Sequence, residues 1–186
     1  MKIVDLENPI EPLKFEDCGF IDRATQDYIR QFKNVLTADE CQEIIDMYKH
    51  DDWQESESNG NKLCDVIGIR PGEIDDLLMD KFSKLMYSYA GDYPRAVSFN
   101  KDIGYTLIRS TVEHHCPIHH EPSGAAITAI IYLNDDCEGG GLQFYGSEKT
   151  DSSTGTGIMF PSAFMFPYEI LPVTKGIRYS LYTQFK

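Results

Sequence analysis

Residues 157–185 read GIMFPSAFMFPYEILPVTKGIRYSLYTQF and carry the strongest fold signal in the chain. Three runs rich in β-branched and aromatic residues occur here, at Gly157–Phe160, Ala163–Leu171 and Arg178–Phe185. Turn-forming prolines and glycines lie between them, and such runs with such boundaries are typical of β-strands. The stretch therefore predicts three closely spaced strands near the end of the chain.

Further strands are predicted upstream of this stretch. The pattern of short β-rich runs separated by turn residues indicates them at Gln31–Leu36, Leu63–Ile69, Tyr105–Ser110, Ala125–Asn134 and Leu142–Tyr145. The polar segments Glu55–Lys62 and Gly146–Thr156 are predicted to be loops that border a pocket and act as lids. Long polar loops at the rim of a strand-rich fold often have this role.

Two amphipathic helices are predicted before residue 97. Thr37 and Glu40 form a capping-box pattern, and Cys41, Ile44, Ile45 and Tyr48 follow at helical spacing. A second helix is predicted after Pro71-Gly72, with apolar residues at helical spacing up to Tyr89, and Pro94 ends it.

The order of the predicted elements, with helices first and many short strands afterwards, indicates a mainly β fold with supporting α-helices. The expected architecture is a jelly roll, or double-stranded β-helix, with the two helices on one face. The chain of 186 residues is predicted to be a single domain, 1–186. Within it we expect an N-terminal extension packed on the domain (1–36), a helical support region (37–96) and the jelly-roll core (97–186).

Charge and composition exclude several functional classes. The formal net charge of −13 argues against nucleic-acid binding, because phosphates would be repelled. No apolar run approaches the roughly 20 residues of a membrane span, and the N-terminal residues lack the pattern of a signal peptide. The five cysteines are odd in number and have no C-x-x-C spacing, so reduced thiols in the cytoplasm are expected, with a virion as the alternative location. The oligomeric state is not indicated.

Four of the five histidines fall within residues 114–120, which points to a site. His119 and Glu121 are two apart, so on a regular strand their side chains share a face. An imidazole and a carboxylate together with a second histidine from a neighbouring strand would form the facial triad of non-haem Fe(II) oxygenases. His114 and His115 are more simply interpreted as a solvated loop pair.

The order of these segments resembles the prolyl-4-hydroxylase-like branch of the 2-oxoglutarate/Fe(II) dioxygenases, particularly its small bacterial and phage members. The resemblance covers about residues 36–186 and is most specific at His119-x-Glu121 and Lys175–Leu181. It implies that His119 and Glu121 hold iron and that Arg178 binds the distal carboxylate of 2-oxoglutarate. It also implies that the cosubstrate pocket is lined by three hydroxyl-bearing side chains, those of Ser180, Tyr132 and Tyr105.

Position 168 departs from the family, because a tyrosine stands where the second iron-binding histidine is expected, ten residues before Arg178. A phenol with an ordinary pKa near ~10 is a poor ligand for Fe(II) at neutral pH. Three explanations are open. Tyr168 does not coordinate and the metal is weakly held; a neighbouring histidine replaces it, His120 least readily because it should face away from His119; or the site has decayed.

Two functions follow from these observations. The first is an Fe(II)- and 2-oxoglutarate-dependent oxygenase that hydroxylates a carbon of a peptide or small molecule, with His119, Glu121 and Tyr168 at its catalytic centre. The second is a catalytically impaired pseudoenzyme that serves as a binding or structural module, for example in a virion. The partner expected in the first case is a peptide or small-molecule substrate.

Overall fold

The computed structural model describes the backbone of residues 2–5 and the residues 24–58, 60–72, 74–121 and 124–186. The helices are α1 (Ala38–Tyr48) and α2 (Asp75–Asp92). The strands are β1 (Lys2–Asp5), β2 (Arg30–Lys33), β3 (Gln54–Ser58), β4 (Asn61–Gly68), β5 (Thr106–Ser110), β6 (Cys116–His119), β7 (Ile127–Tyr132), β8 (Leu142–Phe144), β9 (Glu148–Lys149), β10 (Gly157–Pro161), β11 (Tyr168–Ile170) and β12 (Arg178–Phe185).

Within the described residues the strands form two sheets. The large sheet has eight strands in the order β1-β2-β10-β7-β12-β5-β4-β3, and the small sheet has four in the order β6-β11-β8-β9. All neighbours pair antiparallel except β1 and β2, which are parallel. This two-sheet arrangement confirms the predicted jelly roll.

The large sheet has a different layer on each face, because side chains alternate along a strand. On one face Ile131 of β7 and Leu181 of β12 belong to an aliphatic-rich core with both helices. On the other face Tyr132 belongs to an aromatic-rich core with residues of the small sheet. The site lies on this second face, between the two sheets.

The helices confirm the sequence prediction. Thr37 accepts the backbone N–H of Glu40 while the Glu40 side chain accepts the backbone N–H of Thr37, so the capping box is formed. The apolar stripe of α1 is buried at Cys41, Ile44, Ile45 and Tyr48. The two helices pack on the large sheet, while residues 37–96 also contribute β3 and β4 to that sheet.

One loop prediction and one strand prediction are wrong in detail. Glu55–Lys62 is not a loop, because β3 and β4 form an antiparallel hairpin in which Glu55 lies opposite Asp65. Ala163–Leu171 is not one strand, because Phe166 donates its N–H to the carbonyl of Ala163 in a turn, and only Tyr168–Ile170 pairs. The remaining predicted strands exist within a few residues of their predicted ends.

Several predictions fall partly outside the described residues. Within the predicted extension 1–36, β2 pairs with β10 and so contributes a strand to the large sheet, while residues 6–23, which include Cys18, are not described. Among the described helices, none combines the length and apolar character that crossing a membrane requires.

Candidate functional site

The pairing of β6 with β11 brings His119 and Tyr168 together. The two residues are direct partners in the antiparallel register, and their ring centroids are 4.4 Å apart. Position 168 therefore lies beside His119, which is where the second histidine of a metal triad would stand. The two rings meet where the small sheet faces the large one.

Glu121 completes this cluster by accepting a hydrogen bond from the Tyr168 phenol, with an oxygen–oxygen distance of 2.5 Å. Hydrogen bonds from a hydroxyl to a carboxylate are short and strong because the acceptor is charged. The sequence prediction that His119, Glu121 and position 168 converge is thus met by the geometry. The phenol, however, is directed at the carboxylate.

A second phenol, that of Tyr182, packs against the same inter-sheet core. Tyr182 lies on β12 of the large sheet and shares its face with Arg178 and Ser180, because the three are two residues apart. Sequence analysis missed Tyr182. Because the resemblance assigns Arg178 and Ser180 to the pocket, the alternation of side chains along the strand could have identified Tyr182 as well.

Both phenols are held in the neutral form. Burial, followed by the neighbouring Glu121 charge, raises the pKa of Tyr168 well above its ordinary value. The same two causes raise the pKa of Tyr182. A neutral phenol that donates its proton to a carboxylate has no anionic oxygen to offer a metal ion.

The hydrogen bond of His119 fixes its tautomer. Its Nδ1 lies 2.9 Å from the carbonyl oxygen of Pro117, and because a carbonyl only accepts, Nδ1 carries the hydrogen. The neutral ring therefore has its lone pair on Nε2. Metal-binding histidines commonly have this arrangement, in which the second nitrogen donates to a backbone carbonyl.

Arg178 is buried and its terminal nitrogens are used within the protein. Nη1 donates to the carbonyls of Asn134 and, at 2.8 Å, of Ser152, while Nη2 donates to Gly139 at 2.9 Å. Nη2 also contacts the hydroxyl of Ser152 at 3.2 Å, and the guanidinium lies over the ring of Tyr132 at 5.2 Å. Arg178 thus joins the backbones of two loops, the one between β7 and β8 and the one between β9 and β10.

The other predicted pocket residues separate into two groups. Ser180 is the direct partner of Tyr132, and the buried Tyr132 hydroxyl accepts the N–H of Leu142 at 2.9 Å. Tyr105 does not join them. It stacks on Phe82 at 5.2 Å in the layer between the large sheet and the helices.

Aromatic rings occupy the space between the two sheets. Phe144 and Phe160 meet edge to face at 4.8 Å, and Tyr168 lies 5.8 Å from the first ring and 5.1 Å from the second. All three side chains are buried. This packing leaves the Tyr168 ring supported on the side away from His119.

A second group of metal-binding residue types lies at the edge of the large sheet. Ligand atoms of Glu55, Asp65 and His114 are within 4.8 Å of one another. His114 is buried, so its interpretation as a solvated loop residue is wrong, whereas His115 is exposed.

The hydrogen bonds of this group argue against metal binding. Nδ1 of His114 accepts the backbone N–H of Thr111 at 2.9 Å, so the ring hydrogen is on Nε2, which faces Asp65 at 3.6 Å. Asp65 is also paired with Arg109 at 2.7 Å, and Glu55 with Lys62 at 2.6 Å. The group is therefore satisfied as an ion-pair network that joins the β3–β4 hairpin to β5.

Comparison with solved structures agrees with this architecture. A Pseudomonas putida prolyl-4-hydroxylase matches with a TM-score of 0.68 and 16% identity, over 86% of this chain and 92% of that protein. The viral collagen prolyl hydroxylase of Paramecium Bursaria Chlorella virus-1, solved as a 2-oxoglutarate complex, matches with a TM-score of 0.63 and 18% identity, over 85% and 94%. The chain has the fold of the prolyl-4-hydroxylases.

This fold is shared with a prolyl hydroxylase from Trichoplax adhaerens, solved with a peptide fragment of the hypoxia-inducible factor oxygen degradation domain. That structure matches with a TM-score of 0.67 and 16% identity, over 85% of this chain and 83% of that one. No protein-family model and no curated protein matches the sequence. At these identities the likeness establishes the fold and leaves the chemistry to the residues of the site.

Proposed function

We propose that this chain is a prolyl-hydroxylase-fold protein without hydroxylase activity, which serves as a binding or structural module. The observation that carries the proposal is the 2.5 Å hydrogen bond from the Tyr168 phenol to Glu121. It joins the residue at the second histidine position to the carboxylate that should bind iron. The carboxylate is thereby engaged inside the protein.

The residues present do not fit the iron of the fold relatives. A facial triad needs two imidazoles and a carboxylate, whereas this site offers one imidazole, and a carboxylate that accepts a hydrogen bond from a neutral phenol. Loss of a direct ligand is expected to weaken binding by more than the 10–100-fold typical of residues that only orient ligands. Iron chemistry is therefore not part of the proposal.

The residues do not fit 2-oxoglutarate either. A cosubstrate carboxylate would need the guanidinium of Arg178, but its terminal nitrogens donate to Asn134, Gly139 and Ser152. Releasing them would break the hydrogen bonds that this charged group donates to three loop carbonyls, at a cost of about 1–3 kcal/mol for each. Arg178 thus supports the loops around it, as an internal structural residue.

A second candidate function is 2-oxoglutarate-dependent hydroxylation of a peptide or small-molecule carbon. Its specific support is His119, whose Nδ1 bond to Pro117 leaves Nε2 as the free nitrogen, as in a metal ligand. The fold relatives are prolyl hydroxylases, and one was solved with 2-oxoglutarate. Under this alternative, His119 and Glu121 would bind Fe(II).

A turnover assay separates the two candidates. Wild-type protein and His119→Ala are incubated with Fe(II), ascorbate and 2-oxoglutarate, with and without proline-rich peptides, and succinate is quantified. The non-catalytic proposal predicts equal background release by both proteins. Fe(II)-dependent succinate release by the wild type that His119→Ala abolishes would establish the oxygenase instead.

A further inference from the structure

A groove opens on the helix side of the large sheet, on the face opposite to the His119 cluster. It has a volume of about 350 Å³ and lies between α1 and the loop that follows β7. Leu133 and Ile45, both buried members of the helix-side core, contribute its apolar surface together with Tyr179 of β12. Such a volume is at the small end of the range for ligand-binding clefts.

The loop side of the groove is held in place by hydrogen bonds to β12 and the residue before it. The Asn134 side chain donates to the carbonyl of Ile177 at 2.7 Å and accepts the backbone N–H of Tyr179 at 2.7 Å. These contacts fix the backbone that carries Asp135 and Asp136. The groove is therefore preformed in the folded protein.

Two exposed carboxylates on this loop border the groove without a cationic partner. Asp135 accepts the backbone N–H of Thr154 at 3.3 Å, and Asp136 accepts the side-chain amide of Asn134 at 2.6 Å. Among the residues that the structure describes, neither carboxylate takes part in an ion pair. Arg178, which donates to the carbonyl of Asn134, is directed to the inter-sheet side. Because a carboxylate can accept several hydrogen bonds, both groups have acceptor capacity left for a cation.

The N-terminus of α1 borders the same groove at Ala38 and acts against a cation. A helix N-terminus is equivalent to about half a positive charge. Each of the two loop carboxylates carries a full negative charge, and α1 has Asp39 and Glu40 in its own first turn. The chain as a whole has a formal net charge of −13. The negative charges therefore outweigh the helix terminus at this groove.

We propose that this groove binds a lysine or arginine side chain from a basic peptide segment of a partner protein. These two side chains combine an apolar stem with a charged head. The stem matches the apolar surface of the groove, the head matches the carboxylates at its rim, and the ring of Tyr179 suits a cation. A small inorganic cation would leave the apolar surface unused. The inference names a partner for the binding module of the proposed function, and in that respect it rests on that function.

Trp53 can report on the groove, because it is the only tryptophan of the chain and its ring centroid lies 6.1 Å from that of Tyr179. The probe is a capped hexapeptide of alternating alanine and lysine, and the control is the same peptide with every lysine Nζ acetylated. Tryptophan fluorescence is followed during both titrations. We expect saturable binding of the lysine peptide alone, which added salt weakens. Equal responses to both peptides, or no response to either, would overturn the proposal.

Charge-matched double variants locate the binding site. Asp135→Asn/Asp136→Asn keeps an oxygen acceptor for each loop hydrogen bond and removes both charges. Glu57→Gln/Glu148→Gln removes the same charge from exposed positions on β3 and β9. The first variant should weaken peptide binding by about 3- to 30-fold, as expected for two exposed ion pairs, whereas the second should leave it nearly unchanged. Equal losses in both would contradict the proposal, because the attraction would then come from net charge alone.

Amide NMR of the wild-type protein covers the case in which a variant does not fold. The lysine peptide should shift the backbone amide resonances of Tyr179 and Thr154, which line the groove. Shifts confined to the acidic outer face of α1, at Asp39, Glu43 and Asp46, would overturn the assignment.

Peptide binding and catalysis are measured independently. Fe(II)-dependent succinate release that His119→Ala abolishes would overturn the non-catalytic function and leave the result at the groove unchanged. A protein that neither releases succinate nor binds the lysine peptide would retain the non-catalytic function and lose the proposed partner.

Discussion

The two faces of the large sheet pack against different layers, although the same strands form both faces. On the helix side, Ile131 and Leu181 are fully buried in an aliphatic-rich layer that α1 and α2 cover. On the opposite side, Tyr132, Ser180 and Tyr182 face a layer of aromatic rings with polar groups at its ends. The first layer is a conventional core, and the second has the layout of a cofactor site.

Under the proposed function, the second layer keeps the residues of a former site as part of the structure. The Tyr168 phenol donates to Glu121 and the terminal nitrogens of Arg178 donate to loop carbonyls, whereas Arg178 Nε is buried without a partner. Buried polar groups need partners, and the protein supplies most of them here. The inter-sheet layer should therefore behave in experiments like the helix-side core, as part of the folded structure.

Replacement of Arg178 is the strongest test of whether the inter-sheet layer stabilises the fold as the helix-side core does. We expect Arg178→Ala to lower the free energy of unfolding by roughly 3 kcal/mol, because the carbonyls of Asn134, Gly139 and Ser152 lose their donor. This lies within the range of about 2–5 kcal/mol expected for Leu181→Ala on the helix side. Urea unfolding followed by circular dichroism measures both.

Lys84, an exposed cation, serves as the control for this prediction. Lys84→Ala removes an i,i+4 pair with Asp80 on the surface of α2 and should change stability by less than about 0.5 kcal/mol. If Arg178→Ala resembles Lys84→Ala rather than Leu181→Ala, then Arg178 is a ligand-binding residue that the fold does not need.

Alkaline pH should weaken both layers, because each contains buried thiols. Burial raises the pKa of Cys41 on the helix side to about 12, and that of Cys116 beside His119 to about 11. A raised folded-state pKa means that the unfolded chain loses its proton first. The associated stability is present below about pH 9 and is lost as pH rises toward 11–12.

Urea titrations between pH 7 and pH 11 measure this loss. We expect the free energy of unfolding to fall steadily above pH 9, and Cys41→Ala and Cys116→Ala each to reduce the slope. The tyrosines Tyr168 and Tyr182 should add to the fall above pH 10, since their pKa values are also raised. Stability that is constant from pH 8 to pH 10.5 would show that the thiols ionise as readily in the folded protein.

The helix-side layer was predicted well from the sequence, because the spacing of apolar residues along a helix or strand shows which face is buried. The stripe of α1 and the alternation of β12 both encode a buried face, and the structure confirms them. The β3–β4 hairpin was missed because most of β3 is exposed, so its residues carry no alternation. β6 was missed because it is short and contains Pro117.

The inter-sheet layer was only half predictable for a related reason. The resemblance assigned His119, Glu121, position 168 and Arg178 to one site, and the structure brings the first three together. The sequence could not indicate their hydrogen-bond partners, which depend on how side chains and loops pack. The bond from Tyr168 to Glu121 and the carbonyl contacts of Arg178 are long-range contacts of this kind.

The most direct test of the account is calorimetric titration of the wild-type protein with Mn(II) and 2-oxoglutarate together under anaerobic conditions. Tyr168→His, which places a second imidazole beside His119, serves as the comparison that should regain metal binding. The account predicts no saturable binding by the wild type at ligand concentrations up to the millimolar range. Stoichiometric binding of both ligands at micromolar concentrations would contradict it.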